Sequence, residues 1–421
     1  MRTTVRSIPP PAGPTSRGAD LPAIAAGIGD RLVREAIWYR GQCNWITLDA
    51  ADPQPVQRAL GPELGAGTAG VALFLAQLAA GGGGDGAPRR TALGAIGQAL
   101  AHAGQGPPHG LYAGRIGIAY AAARCGQLLG EERLVARAAR LARGRFAAGR
   151  EQRFDLLGGS AGTIAGLLAL ARLLGDERLV RRAQRLGDEL ADGARRGREG
   201  WSWPAPGERG MHGRCGMARG AAGIAWALLE LHAATGARRH RDAAERALDY
   251  ERHWFDPQQA DWPDLSGIER RERRGTFRAP PATGWEHGAP GIALARLRAW
   301  GIVGEERLRG EATAALATTA AHVERELLVP GADFTLGRGL AGAAEALLAG
   351  AALHPQGAAL ARRAGEIAAS RHAAGLDGWP CGTTGAGLAP GLLGGHAGIG
   401  LLYLRLHDRA VPSPLLIGAT I

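Results

Sequence analysis

The chain of 421 residues contains no lysine, and all 50 of its basic residues are arginine. That usage reads as the codon bias of a GC-rich genome as much as selection for a basic surface. The net charge of +11 would suit an anionic partner. The arginines are nevertheless spread over helical faces, as at Arg133, Arg137, Arg140 and Arg143. No basic tail and no interleaving of arginine with aromatics is present, which argues against nucleic acid as a partner. Aromatic residues make up only 5% of the chain, while hydrophobic residues reach 46%. Alanine and glycine carry much of the remainder, a composition suited to close helix–helix approach. Cysteine is scarce too. Cys43, Cys125, Cys215 and Cys381 lie far apart with no CxxC pair. This excludes a disulfide framework and predicts a reduced, cytoplasmic protein. The first residues lack the apolar core of a signal peptide, and no stretch is long and charge-free enough to span a bilayer.

What is abundant is a repeat. A Gly-x-x-Gly tetrad opens an apolar run seven times, at 67–70, 114–117, 159–162, 220–223, 288–291, 339–342 and 395–398. Successive tetrads are 45 to 68 residues apart, room for two helices and a loop. Before the tetrads, amphipathic periodicity predicts helices over 91–103, 131–146, 178–196 and 239–251. After them, almost uniformly apolar helices are predicted, as at 71–79, 163–173, 224–231 and 292–299. Two helix types in alternation imply two layers, an outer one with a wet face and an inner one buried all round. The expected fold is all-α, an α/α toroid of seven helical hairpins over 19–408. Residues 1–18 are expected to be disordered, 81–84 a flexible linker, 252–286 a long loop over one end, and 409–421 a loosely docked or frayed tail. In each tetrad the first glycine would permit a tight turn, with positive φ a possibility, and the second a close backbone approach. None is followed by Lys-Ser or Lys-Thr, so a phosphate-binding loop is a poor reading. The chemical candidates are the residues just before each tetrad.

Five segments carry a family resemblance: MARGAAGIAWALLEL (217–231), ALDYERHWFDPQQADWPDLS (247–266), GWEHGAPGIALARL (284–297), TLGRGLAGAAEALL (335–348), and GWPCG (378–382) with PGLLGGHAGIGLLYLRL (390–406). Over about residues 20–408 the chain resembles the lanthionine synthetase C family, most closely the cyclase half of the bifunctional lanthipeptide synthetases. No dehydratase half is present. The resemblance implies a toroid that adds cysteine thiols of a precursor peptide to dehydroalanine or dehydrobutyrine, giving thioether rings. Separate kinase- and lyase-type enzymes would supply the dehydrated peptide. In the family, two cysteines and a histidine hold a zinc ion that lowers the thiol pKa.

The family's ligand positions correspond here to Glu286, Gly337 and Arg338, and its acid/base histidine to Arg219. Arginine has no lone pair to donate, so the family zinc is expected to be lost and no cofactor to be needed. Asp155 matches the family's aspartate, and His287 stands beside the lost first ligand. The expected centre is therefore Asp155, Arg219, Glu286, His287 and Arg338. His287 reads equally as a proton-transfer group or as a structural histidine. Arg219 and Arg338 read as thiolate or enolate stabilisers, or as partners of Asp155 and Glu286 filling a vacated metal site. Asp155 reads as catalytic or as a helix cap. A rebuilt metal site could draw on His212, Cys215, Cys381 and His396, and Cys43 reads as packing or reactive. Three functions follow: a zinc-independent lanthionine-type cyclase, a non-catalytic peptide-binding scaffold, or a related conjugate addition.

Overall fold

Five of the seven inner helices share one backbone entry, and the tetrads explain why. The computed structural model describes residues 19–49, 56–82, 86–144, 153–208, 210–272, 283–373, 378–382 and 389–419. The expected disordered segment 1–18, part of the linker 81–84 and residues 273–282 of the long loop lie outside them. The first glycine of every tetrad is the N-cap of an inner helix, and none of these caps uses a side chain. The unpaired N–H groups of the first turn need acceptors. They find them in carbonyls seven residues upstream: Thr68 in Gly61, Ser160 in Arg153, Ala221 in Arg214, Leu340 in Asp333 and His396 in Ala389. The entry loop thus lies flat against the helix start, and there is no room there for a side chain. A Cβ on the second glycine would fall 1.7 to 2.2 Å from a loop carbonyl in all seven repeats. Close approach is therefore the reason for the tetrad. Positive φ is not: six first glycines are extended, and only Gly288 has φ 91°.

The inner helices are α2 (Thr68–Ala80), α4 (Arg115–Leu129), α6 (Ser160–Leu174), α8 (Ala221–Thr235), α10 (Ala289–Val303), α12 (Leu340–Ala349) and α14 (His396–His407). Their outer partners are α3 (Ala87–His102), α5 (Glu132–Arg143), α7 (Glu177–Asp192), α9 (Arg238–Trp254), α11 (Glu306–Glu326), α13 (Gly357–His372) and, for α14, the first helix α1 (Leu21–Glu35). Each inner helix packs on the next, and α14 packs on α2, so the inner ring is closed. Helix α5 buries only Leu134, Ala138 and Ala142, whereas α6 buries twelve consecutive residues from Ser160 to Ala171. The two layers anticipated from periodicity are present.

Three features were not legible in the periodicity. The described residues include three two-stranded antiparallel ribbons: β1 (Ile37–Tyr39) with β2 (Gln42–Asn44), β3 (Ile46–Asp49) with β4 (Val56–Ala59), and β5 (Arg195–Gly197) with β6 (Gly200–Ser202). The tail is pinned, not frayed. Leu415, Leu416 and Ile417 are buried. Tyr112 Oη donates to the Pro414 carbonyl (2.8 Å), and Ser413 Oγ donates to Glu345 Oε2 (2.9 Å). Glu345 is itself buried against Arg405. Third, seven backbone hydrogen bonds join the entry loops into a ring. The N–H of Gly65 donates to the carbonyl of Tyr112, Tyr112 to Leu157, Leu157 to Ala218, Ala218 to Glu286, Glu286 to Gly337, Gly337 to Leu393, and Leu393 back to Gly65, at 2.7 to 3.2 Å. Every member stands two residues before a tetrad. No helix among the described residues is long and apolar enough to cross a membrane.

Candidate functional site

The ring of loops frames a cavity of about 720 Å³. Its wall includes ring members Gly65, Tyr112, Leu157, Glu286, Gly337 and Leu393, so the repeat that builds the fold also positions the site. Four of the five expected residues meet here: Asp155, Arg219, Glu286 and Arg338. Arg338 Nε donates to Glu286 Oε2 at 3.1 Å. The Glu286 side chain is 15% exposed and that of Arg338 70%, so solvent screens the pair and its chief effect is orientation. Arg219 is exposed and has no ion-pair partner among the described residues. The expected pairing with Asp155 is therefore not made. Asp155 Oδ1 instead accepts the Gly158 N–H (2.7 Å), closing the loop ahead of α6. It braces the entry loop, while Gly159 occupies the cap.

His287 is the exception, since it is not part of the cavity wall. It precedes the one tetrad that enters its helix at positive φ, through Gly288. Its charged neighbours are Asp264, Glu286, Arg214 and Arg338, and burial holds its imidazole below the usual value. Nothing in the sequence around Gly288 marks this different entry.

Sequence reasoning missed Glu63, Arg153, Asp333 and Thr335, which complete the polar wall. Burial raises the carboxyl pKa of both Glu63 and Asp333. Glu63 stands four residues before its tetrad and Asp333 six, so no single offset reveals both. Cys381 also reaches the cavity wall. Burial pushes its thiol up to about 12, as it does for Cys43 and Cys125, and raises that of Cys215 as well. These cysteines are therefore thiols, not thiolates, at neutral pH. Cys43 Sγ donates to the Thr91 carbonyl and serves packing.

The ligand positions of a zinc site can be tested on donor chemistry. Gly337 has no side chain, Arg338 offers only donors, and Glu286 is engaged by Arg338. This set does not fit zinc. The four alternative ligands sit in separate surroundings. His212 Nε2 lies 2.9 Å from the Glu272 carbonyl, with its ring against Trp254. Cys215 is buried near Glu251. Cys381 lines the cavity, and His396 opens α14 fully buried. Among the described residues no group of three or more His, Cys, Asp or Glu side chains is gathered for a metal.

His396 yields a prediction of its own. Burial lowers its pKa from 6.5 to about 4. A histidine kept neutral in the fold stabilises it fully above its unfolded pKa, and that contribution is lost as pH falls. Stability to urea should therefore decline between pH 6.5 and 4, and His396→Phe should flatten that part of the curve. An unchanged slope would refute the assignment.

Comparison with known proteins places this geometry in context. The family model described as lanthionine synthetase C-like protein matches residues 58–416. No curated protein matches by sequence. Among solved structures, nisin cyclase superposes with a TM-score of 0.62 at 17% identity, over 82% of this chain and 89% of that one. A GH76 alpha-mannanase from Bacteroides thetaiotaomicron gives 0.54 at 10% identity, over 93% and 96%. A Listeria innocua protein gives 0.53 at 12% identity, over 93% and 99%. At such identities these likenesses concern the fold alone.

Proposed function

The chain belongs to the lanthionine synthetase C-like family, and on that premise we propose that it is a zinc-independent lanthionine-type cyclase acting on a dehydrated ribosomal peptide. The observation that carries this reading is the cavity framed by the loop ring, with carboxylates and arginines at the positions where the family chemistry would take place. The reaction needs a thiol deprotonated, charge stabilised on an enolate, and a carbon protonated. In this reading Asp155 accepts the thiol proton. Arg219 and Arg338 supply the positive potential for the thiolate and then the enolate. The nucleophile is the peptide's own cysteine, since the cavity thiol of Cys381 is held protonated. His287, turned out of the cavity wall, has no step assigned. In this proposal the protein is cytoplasmic, and separate kinase- and lyase-type enzymes supply its substrate.

Incubation with dehydrated precursor should consume one free thiol for each ring formed, and protein dialysed free of zinc should be equally active. Stoichiometric zinc by elemental analysis would overturn the metal-free reading. The Arg219→Met/Arg338→Met double variant should fold normally and lose about 100-fold in rate, the scale for removing preorganised electrostatic stabilisation.

A second reading draws on the Arg338–Glu286 pair, which occupies ligand positions of the family's metal. In it the protein is a scaffold that holds the peptide for partner enzymes. Product that still forms with the double variant, but not when the protein is omitted, would favour the scaffold.

A further inference from the structure

We propose that Asp333 is the acid that delivers the proton to the α-carbon of the dehydroamino acid; this assignment rests on the cyclase reading. With His287 outside the wall, no histidine lines the cavity among the described residues. The groups there that exchange protons are carboxyls and the Cys381 thiol. Glu63 folds back on its own loop, so close that a Cβ on Gly61 would collide with its carboxyl group. Glu286 is engaged by Arg338. Asp155 and Asp333 remain.

The two come from different arcs of the ring. Asp155 precedes the third tetrad and Asp333 the sixth, three steps apart in a closed circle of seven. A base on one side and an acid on the other suits anti addition across a double bond. Asp333 also has the setting of an acid. Its Oδ1 accepts the Thr335 N–H at 2.8 Å, which fixes the carboxyl. Its Oδ2 faces Gly382, where a Cβ would come within 2.9 Å. Its charged and titratable neighbours are Arg338, Glu286 and Cys381, and its burial favours the protonated form.

The step balances without an oxidant or reductant. Asp155 takes the proton from sulfur, the S–C bond forms at the β-carbon, and the π electrons move to the α-carbon and its carbonyl. The Asp333 O–H then breaks as the α C–H forms. Asp333 regains its proton from solvent while Asp155 releases one. The net change moves one proton from sulfur to carbon.

A proton delivered by a fixed group reaches one face of the enolate. The test therefore reads configuration as well as rate. Wild type, Asp333→Asn and Asp333→Glu are given the same dehydrated peptide. Products are hydrolysed and the α-carbon configuration is resolved by chiral chromatography, with peptide affinity and thermal midpoint measured alongside. Asp333→Asn should keep affinity and midpoint, lose about 100-fold in rate, the scale for general acid catalysis, and give both epimers. Asp333→Glu should restore a single epimer. Asp333→Ser, which also offers the Thr335 N–H an acceptor, gives the same readout if the asparagine variant does not fold. A single epimer from Asp333→Asn, whether the rate falls or holds, would overturn the assignment. Wild type that leaves every thiol free would overturn the cyclase reading and the assignment with it.

Discussion

Replacing Arg296 by methionine should cost the protein about 3–5 kcal/mol, the scale for leaving a charge unpaired in an interior. Arg296 lies on inner helix α10 with no exposed surface, and neither has Glu251 on outer helix α9. Their charged atoms are 3.1 Å apart, and Arg296 Nε lies 2.7 Å from Glu311 Oε2 on α11. Glu251 has a second task. Its Oε1 accepts the N–H groups of Gly216 (2.8 Å) and Ala222 (3.0 Å), so it caps the fourth inner helix from the outer layer. Burial raises the pKa of this carboxyl, and Arg296 opposes that most strongly. Without Arg296 the carboxylate would lose its main counter-charge, and low pH would relieve the cost by protonating it. Urea unfolding should show the largest deficit at pH 7 and a smaller one at pH 5. The Arg296→Met/Glu251→Gln double variant should regain much of the loss. A deficit under 1 kcal/mol at pH 7 would mean that the network contributes no more than an exposed pair such as Arg362–Glu366.

The second large effect is expected at a tetrad. A Cβ at Gly117 would lie 1.7 Å from the Leu111 carbonyl oxygen and 2.9 Å from Leu64 Cβ. The obstacle is backbone, so no rotamer change relieves it. Gly117→Ala should destabilise by several kcal/mol, beyond the roughly 1–3 kcal/mol usual for overpacking, because the entry loop itself must move. Gly301 on α10 is the control, because a Cβ there meets nothing within 4 Å. Gly301→Ala should stabilise by about 0.4–1 kcal/mol through the entropy of the unfolded chain. If the two variants behave alike in denaturant titrations, the close-approach explanation of the tetrads is wrong.

These two predictions show which parts of the molecule its sequence discloses. The tetrads and the alternation of helix types are periodic, and periodicity is what a single chain displays openly. The inner and outer layers were accordingly legible. The residues just before three of the tetrads, Arg219, Glu286 and Arg338, do reach the cavity. Asp333 and Glu63 were not legible, because they arrive there through loops of different shape at different offsets. His287 was placed at the centre by position alone. It lies outside the cavity wall, beside Asp264, Glu286, Arg214 and Arg338, and no sequence pattern reports that placement. Glu251 was visible within a family-like segment, but its capping of a helix in the other layer is a contact across 29 and 35 residues. The tail reads as a short apolar end, and only the folded chain shows Tyr112 and Glu345 waiting for it.

The backbone ring has a consequence for how such a site can change. Its seven links use only main-chain atoms, and the residues that form it are as unlike as glycine, tyrosine, leucine, alanine and glutamate. It acts as a hoop of fixed circumference: the aperture is set by peptide geometry, while the side chains hang from it like interchangeable fittings. A ring residue such as Glu286 or Gly337 can carry any side chain, or none, while its backbone link stays the same. Shape and chemistry are thereby uncoupled at this rim, so that side chains can change while the cavity keeps its frame.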